Sequence, residues 1–216
     1  MKLYLRLLSV FLLCMIFSCS NEDLRTEELT DQNYFVVTEY SIPQNTSSRS
    51  AQEDYCFTVD LIAGQNMYAG TVTVSRTETD LILTYNTFGY WTIGTTHVSI
   101  GDCNEEWVPL TGSGNPKIGK FSHTEPHSEE INRVVYQIDL EILPDYTDLY
   151  CFAAHAEVEG PDGEETAWAG DMNDDGGSGG IGRVVTSSSS RNGYTVKEFG
   201  GRSWATYIEA LQSACD

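Results

Sequence analysis

The stretch Asp171-Met172-Asn173-Asp174-Asp175-Gly176 places oxygen-bearing side chains at alternate positions ahead of a glycine. Oxygens of Asp171, Asn173 and Asp175 at that spacing can converge on one hard cation, and the glycine permits the sharp turn that this requires. A complete calcium loop of the helix–loop–helix type needs a bidentate Glu at its twelfth position, where this chain has Gly182. A looser calcium loop remains, set in a segment with eight acids and no Lys, Arg or His between Glu157 and Gly182. Calcium is the one ion nominated; no other cofactor or metal is expected. The plainer reading is a solvated acidic loop running into Gly176-Gly177-Ser178-Gly179-Gly180.

Other chemistry is less well supported. His123 and His127 are four residues apart, but Pro126 lies between them and no third ligand is evident, so a solvated loop is expected there. His155 lies in Ala153-Ala154-His155-Ala156, on the strand face shared with Leu149, Cys151 and Ala153, where a hydrogen-bonded, partly buried histidine is expected. Gly-x-Ser-x-Gly is absent, and no Lys follows the glycine run, which removes a nucleophile elbow and a phosphate loop. With 32 acids, no particular carboxylate pair stands out for hydrolysis. Trp91, Trp107, Trp168 and Trp204, with 12 tyrosines, offer aromatic surface for stacking on a ligand. Most aromatics in strands are core. Trp107, beside Asn104, Glu105 and Glu106, is the exposed ligand-binding candidate. No catalytic residue is assigned.

The formal net charge is −20. Such an acidic chain is not built to bind nucleic acid or an anionic membrane surface, both of which call for basic patches. Of the six cysteines, Cys56, Cys103, Cys151 and Cys215 lie in the body of the chain and none forms a CxxC pair. An even set of this kind in an exported chain predicts two disulfides, with three connectivities open.

The elements that must position these groups are strands. Val134, Tyr136, Ile138, Leu140 and Ile142 alternate with Arg133, Gln137, Asp139 and Glu141, and the same period runs through Tyr55, Phe57, Val59 and Leu61 and through Leu81, Leu83 and Tyr85. Residues 149–158 begin apolar on both faces, as a central strand does. Gly-rich turns fall at 63–66, 101–102, 112–116 and 160–163. Short strands with such turns and no strand–helix alternation predict an all-β, antiparallel β-sandwich. The C-terminus reads as a closing strand that ends in a short helical turn.

The N-terminus has its own pattern. Lys2 and Arg6 precede the apolar run Leu7–Phe17, which at 11 residues is too short to span a bilayer and fits a signal segment. Ile16-Phe17-Ser18-Cys19 resembles the lipobox of bacterial lipoproteins. The resemblance implies a signal peptide over 1–18, lipid attachment at Cys19, and loss of Lys2 and Arg6, which takes the net charge to −22. Several acyl chains make a stable anchor, at about 0.8 kcal/mol for each buried CH₂. Ser20-Asn21-Glu22-Asp23 resembles an acidic export tag, which implies display at the outer face of the outer membrane. Residues 19–52 then form a polar tether, within which Tyr34-Phe35-Val36-Val37 is a strand that can dock on the domain. The domain itself spans 53–216, with a Gly/Ser-rich acidic insertion near 171–193.

Several motifs in order carry a second resemblance: Tyr68-Ala69-Gly70-Thr71-Val72, Gly89-Tyr90-Trp91-Thr92-Ile93, Thr96-His97-Val98, Asn115-Pro116-Lys117-Ile118-Gly119-Lys120-Phe121, Cys151-Phe152-Ala153-Ala154-His155-Ala156, Glu165-Thr166-Ala167-Trp168 and Gly201-Arg202-Ser203-Trp204-Ala205-Thr206-Tyr207. Over residues 55–209 the chain resembles an uncharacterised β-rich module of secreted and lipid-anchored bacterial proteins. The resemblance implies a sandwich in an extracellular setting and carries over no activity. The expected function is a non-catalytic, surface-exposed binding module for a glycan or protein, touching the membrane only through its lipid. A fimbria-like structural or adhesion component and a small carboxylate-dependent hydrolase are the alternatives.

Overall fold

The computed structural model describes residues 34–42, 55–145, 148–172 and 193–215. Cys19, Asn173 and Asp175 lie outside them. The strands are β1 (Phe35–Tyr40), β2 (Phe57–Ala63), β3 (Met67–Arg76), β4 (Asp80–Thr87), β5 (Thr92–Asp102), β6 (His123–Pro126), β7 (Arg133–Asp139), β8 (Leu149–Gly160), β9 (Gly163–Gly170), β10 (Tyr194–Glu198) and β11 (Thr206–Leu211). All pair antiparallel. A short 3₁₀ turn, Gln212–Cys215, follows the last strand, as the C-terminal composition predicts.

The strands make one hydrogen-bonded sheet folded over on itself into two leaves. The first leaf runs β1-β7-β4-β3-β2. The second is centred on β8, which pairs with β5 along one edge and with β11 and β9 along the other, while β6 and β10 flank it. β9 turns the corner: His155–Gly160 of β8 pair with its first part, and Asp60–Ala63 of β2 pair with its last. The N-terminal segment does dock, with β1 pairing along β7 from Phe35↔Ile138 to Tyr40↔Arg133. No helix among the described residues is long and apolar enough to cross a membrane.

The period-2 pattern explains why the leaves fold together. Val72, Val74, Leu81, Leu83, Val134 and Ile138 point inward from the first leaf. Val98, Tyr150, Phe152, Ala154, Ala156 and Ile208 meet them from the second. Burying each large apolar side chain contributes about 1.5–3 kcal/mol. Two tyrosines span this core. The Tyr85 hydroxyl donates to the His97 carbonyl at 3.3 Å, and the Tyr136 hydroxyl makes a short hydrogen bond with Thr96 Oγ1.

The outer face of the second leaf carries a second, smaller cluster: Val108, Phe121, Ala153, Trp168, Phe199 and Ala205, with Trp107, Ile118, Trp204 and Tyr207 against it. Residues 103–122 and 199–205 cover this face. Ser99 Oγ donates to the Trp107 carbonyl at 2.7 Å, and Ser203 N donates to Asn115 Oδ1 at 3.0 Å, which joins the two covering segments. All four cysteines of the domain pair. Cys103–Cys151 ties the first covering segment to β8, and Cys56–Cys215 ties the start of β2 to the C-terminal turn.

Candidate functional site

One end of the sandwich carries an open cleft of about 1080 Å³. The turn between β4 and β5 forms one lip. Gly89 adopts φ +65°, which glycine tolerates best. Trp91 N donates to the Phe88 carbonyl at 3.3 Å, and Thr87 Oγ1 donates to the Trp91 carbonyl at 2.7 Å. The turn is thus held from within and presents Tyr90 to solvent, 85% exposed. Phe88 stands exposed on the same turn, its ring centroid 6.0 Å from exposed Tyr68. Trp91 folds back over Gly160, where a Cβ would sit 2.6 Å from ring atom Cε3, so only glycine lets the ring lie on the β8–β9 hairpin.

Six glutamates line the cleft, Glu157 and Glu159 from β8, Glu164 and Glu165 from β9, and Glu129 and Glu130 from the segment after β6, among neutral residues such as Thr92, Ile93, Ser128, Val158, Pro161 and Thr166. Among the described residues no Lys or Arg lines it. Carboxylates accept hydrogen bonds from hydroxyl or amino groups, and an exposed phenol ring stacks on apolar faces, so the arrangement can hold a polar ligand with flat faces.

Beneath the cleft lies a relay of polar groups. His127 has a side chain only 1% exposed, with Nδ1 3.6 Å from Glu39 Oε2 and Nε2 2.6 Å from Thr96 Oγ1. Thr96 bonds in turn to Tyr136. Glu39 also accepts from Ser128 N and Ser128 Oγ, at 3.0 and 3.2 Å. A carboxylate, an imidazole and a hydroxyl in series are the parts of an activated nucleophile. Thr96, however, is fully buried and its oxygen is shared with Tyr136, so no reacting carbonyl can approach it in this arrangement. The relay joins β1 to β5 and β7 instead, assisted by the Asn132 amide, which accepts from Ile42 N and donates to the Ile42 carbonyl at 2.8 and 2.7 Å.

The two histidines expected in a solvated loop therefore require correction. β6 pairs with β5 and carries the His123 imidazole inward, and His127 follows directly, its backbone N–H donating to the Gly94 carbonyl at 2.7 Å; Pro126 is tolerated because it sits at the end of an edge strand. His123 stacks on Phe35 at 5.1 Å and meets Tyr136 edge-on at 5.2 Å. Burial holds the His123 imidazole below its usual range against the opposing pull of Glu125. His127 is lowered for the same reason, in spite of Glu39.

His155 also departs from expectation. It is buried, 2% exposed, but neither ring nitrogen has a hydrogen-bond partner among the described residues. It faces His97 across the β5–β8 pair, ring centroids 5.2 Å apart, and meets Trp168 edge-on at 4.7 Å. Trp107, read from the sequence as the exposed ligand-binding candidate, is half-buried, its ring 5.4 Å from Tyr207 and 6.2 Å from Phe199. Asp171 is half-buried, and its charge, after desolvation, helps raise the carboxyl pKa of Asp60, which accepts from Met172 N at 3.0 Å. Among the described residues no group of three or more His, Cys, Asp or Glu is placed to hold a metal ion.

Sequence reasoning missed Tyr90, Glu39 and Thr96 as site residues. Phe88-Gly89-Tyr90-Trp91 did carry a signal, since three aromatics around a glycine cannot all turn inward in a tight loop. Comparison with known proteins found no matching family model, no similar curated protein and no similar solved structure.

Proposed function

We propose that this chain is a surface-displayed lipoprotein, anchored through Cys19, whose sandwich is a non-catalytic binding module for a glycan. The observation that carries the binding reading is Tyr90, 85% exposed at the lip of a cleft whose lining includes six glutamates. Sugar rings stack their C–H faces on exposed aromatics and donate hydroxyl hydrogens to carboxylates. A protein ligand is the companion reading, and the exposed Tyr68–Phe88 pair is where its apolar side chains would rest. The anchor reading rests on the residues from Lys2 to Asp23.

A glycan array followed by titration calorimetry tests the ligand class. Binding should appear on the array, and Tyr90→Ala should weaken it about tenfold, the equivalent of about 1.4 kcal/mol. Glycan binding that survives Tyr90→Ala unchanged would remove the cleft from the reading; an array without hits would turn it to protein ligands. Cys19→Ala should move the protein from the membrane fraction to the soluble fraction. Retention of that variant in membranes would end the anchor reading.

A further inference from the structure

The outer face of the second leaf buries a pair of imidazoles that the cleft does not use. His97 and His155 are directly opposed on β5 and β8. His97 Nδ1 lies 3.0 Å from Thr124 Oγ1, which leaves His97 Nε2 and both nitrogens of His155 buried with no hydrogen-bond partner among the described residues. Three such atoms in one spot are costly in a native interior, where buried polar groups are nearly always paired. The pair sits beside Trp168, and Trp168 in turn contacts Phe121 and Phe199 of the covering segments, with centroids 6.2 Å apart in both cases. The pair therefore borders the small outer cluster rather than the main core.

We propose that residues 103–122 and 199–205 form an acid-released cover over the outer face of β8, with the His97–His155 pair as its trigger. Two neutral imidazoles pack beside Trp168, whose ring the covering segments meet. Two imidazolium ions there would repel each other at 5.2 Å and would need water. Of the elements around the pair, β8 supplies the carboxylate Glu157, whose charge opposes the effect of burial on His97. β6 supplies the neutral Thr124 and β9 the neutral Trp168. The covering segments meet the Trp168 ring with Phe121 and Phe199, and the rest of the cluster around it is apolar or aromatic. No anion among these groups is buried with His155, so its charge is met only by opening toward solvent. Burial, and then the neighbouring His97, hold His155 down to about 3, which matches a site that resists the proton until the cover moves. The Cys103–Cys151 bond keeps the first covering segment attached when it opens. Opening exposes Trp168, Phe199 and Ala153, an apolar face presented only in acid.

Amide hydrogen exchange on the full chain, corrected for the intrinsic pH dependence of exchange, tests this. Between pH 7 and pH 4.5 the amides of 104–121 and 199–205 should lose protection at least tenfold, while those of β3, β4 and β7 keep theirs. His155→Phe should hold the cover closed at pH 4.5. His97→Gln, which keeps a partner for Thr124, should make the opening less steep in pH, with one proton taken up instead of two. Loss of protection in cover and leaves together, or a cover that stays protected at pH 4.5, would overturn the proposal. So would opening in both variants at the wild-type pH and steepness.

Discussion

β8 is buried on both of its faces, but each face is sealed by a different kind of structure. Inward, Tyr150, Phe152, Ala154 and Ala156 meet the regular strands of the facing leaf, and the Tyr85 and Tyr136 hydroxyls bridge the gap. Outward, Cys151 and Ala153 are sealed by irregular chain, held by a disulfide, a few side-chain hydrogen bonds and a handful of aromatics, and His155 borders that cluster through Trp168. Strand ladders lose many contacts at once when they open, whereas loop covers can open locally at much lower free energy. The inner face thus sets global stability. The outer face is where a local, regulated transition can occur.

The strongest way to break this comparison is through the disulfides. Replacing Cys56 and Cys215 by Ser opens a separation of 159 residues, and replacing Cys103 and Cys151 opens one of 48. Chain entropy puts the losses at roughly 5 and 4 kcal/mol. Urea melts should show the larger global loss for the first pair. Hydrogen exchange should show local loosening of 104–121 for the second. Next come single side chains. Phe152→Ala, fully buried in the main core, should cost about 3–5 kcal/mol of global stability, while Phe199→Ala should cost less and loosen only the cover. Equal global losses would mean that the two faces unfold as one.

Acid is a milder probe. All four histidines sit below their usual range, each chiefly by burial. The unfolded chain therefore binds more protons wherever the folded imidazole stays neutral. Stability is fully present above about pH 6.5 and falls as the pH drops below it. For His155, at about 3, the loss between pH 6.5 and 5 is about 2 kcal/mol, read from urea midpoints. His155→Phe should flatten that dependence. The smallest expected effect concerns divalent ions: stripping with EDTA should leave the melting temperature unchanged. A rise of several degrees on adding millimolar calcium would instead assign an ion to the segment that begins at Asp171.

Much of this could be read from the sequence. The alternation in 134–138 and 81–85, the apolar start of β8, the docking strand near Tyr34 and the closing strand with its turn all follow from side-chain period and local composition. The number of disulfides followed from cysteine count. Their pairing did not, because 159 and 48 residues of chain separate the partners. The candidate site was barely legible. Tyr90, Glu129, Glu157 and Glu164 come from separate turns and strand ends and meet only at one end of the sandwich. His123 and His127 look like polar loop residues because nothing local to them states that β1 and β7 will close over their rings.

Period, turn chemistry and composition are local properties, so the sequence alone determined the strands, their inward faces, the all-β class and the acidic character. Burial of a particular imidazole, the choice of cysteine partner and the gathering of an aromatic and six glutamates around one cleft depend on which distant strands become neighbours. Only the tertiary structure decided those, because the free energy of a buried polar group is set by what packs against it and not by the residues beside it in the chain.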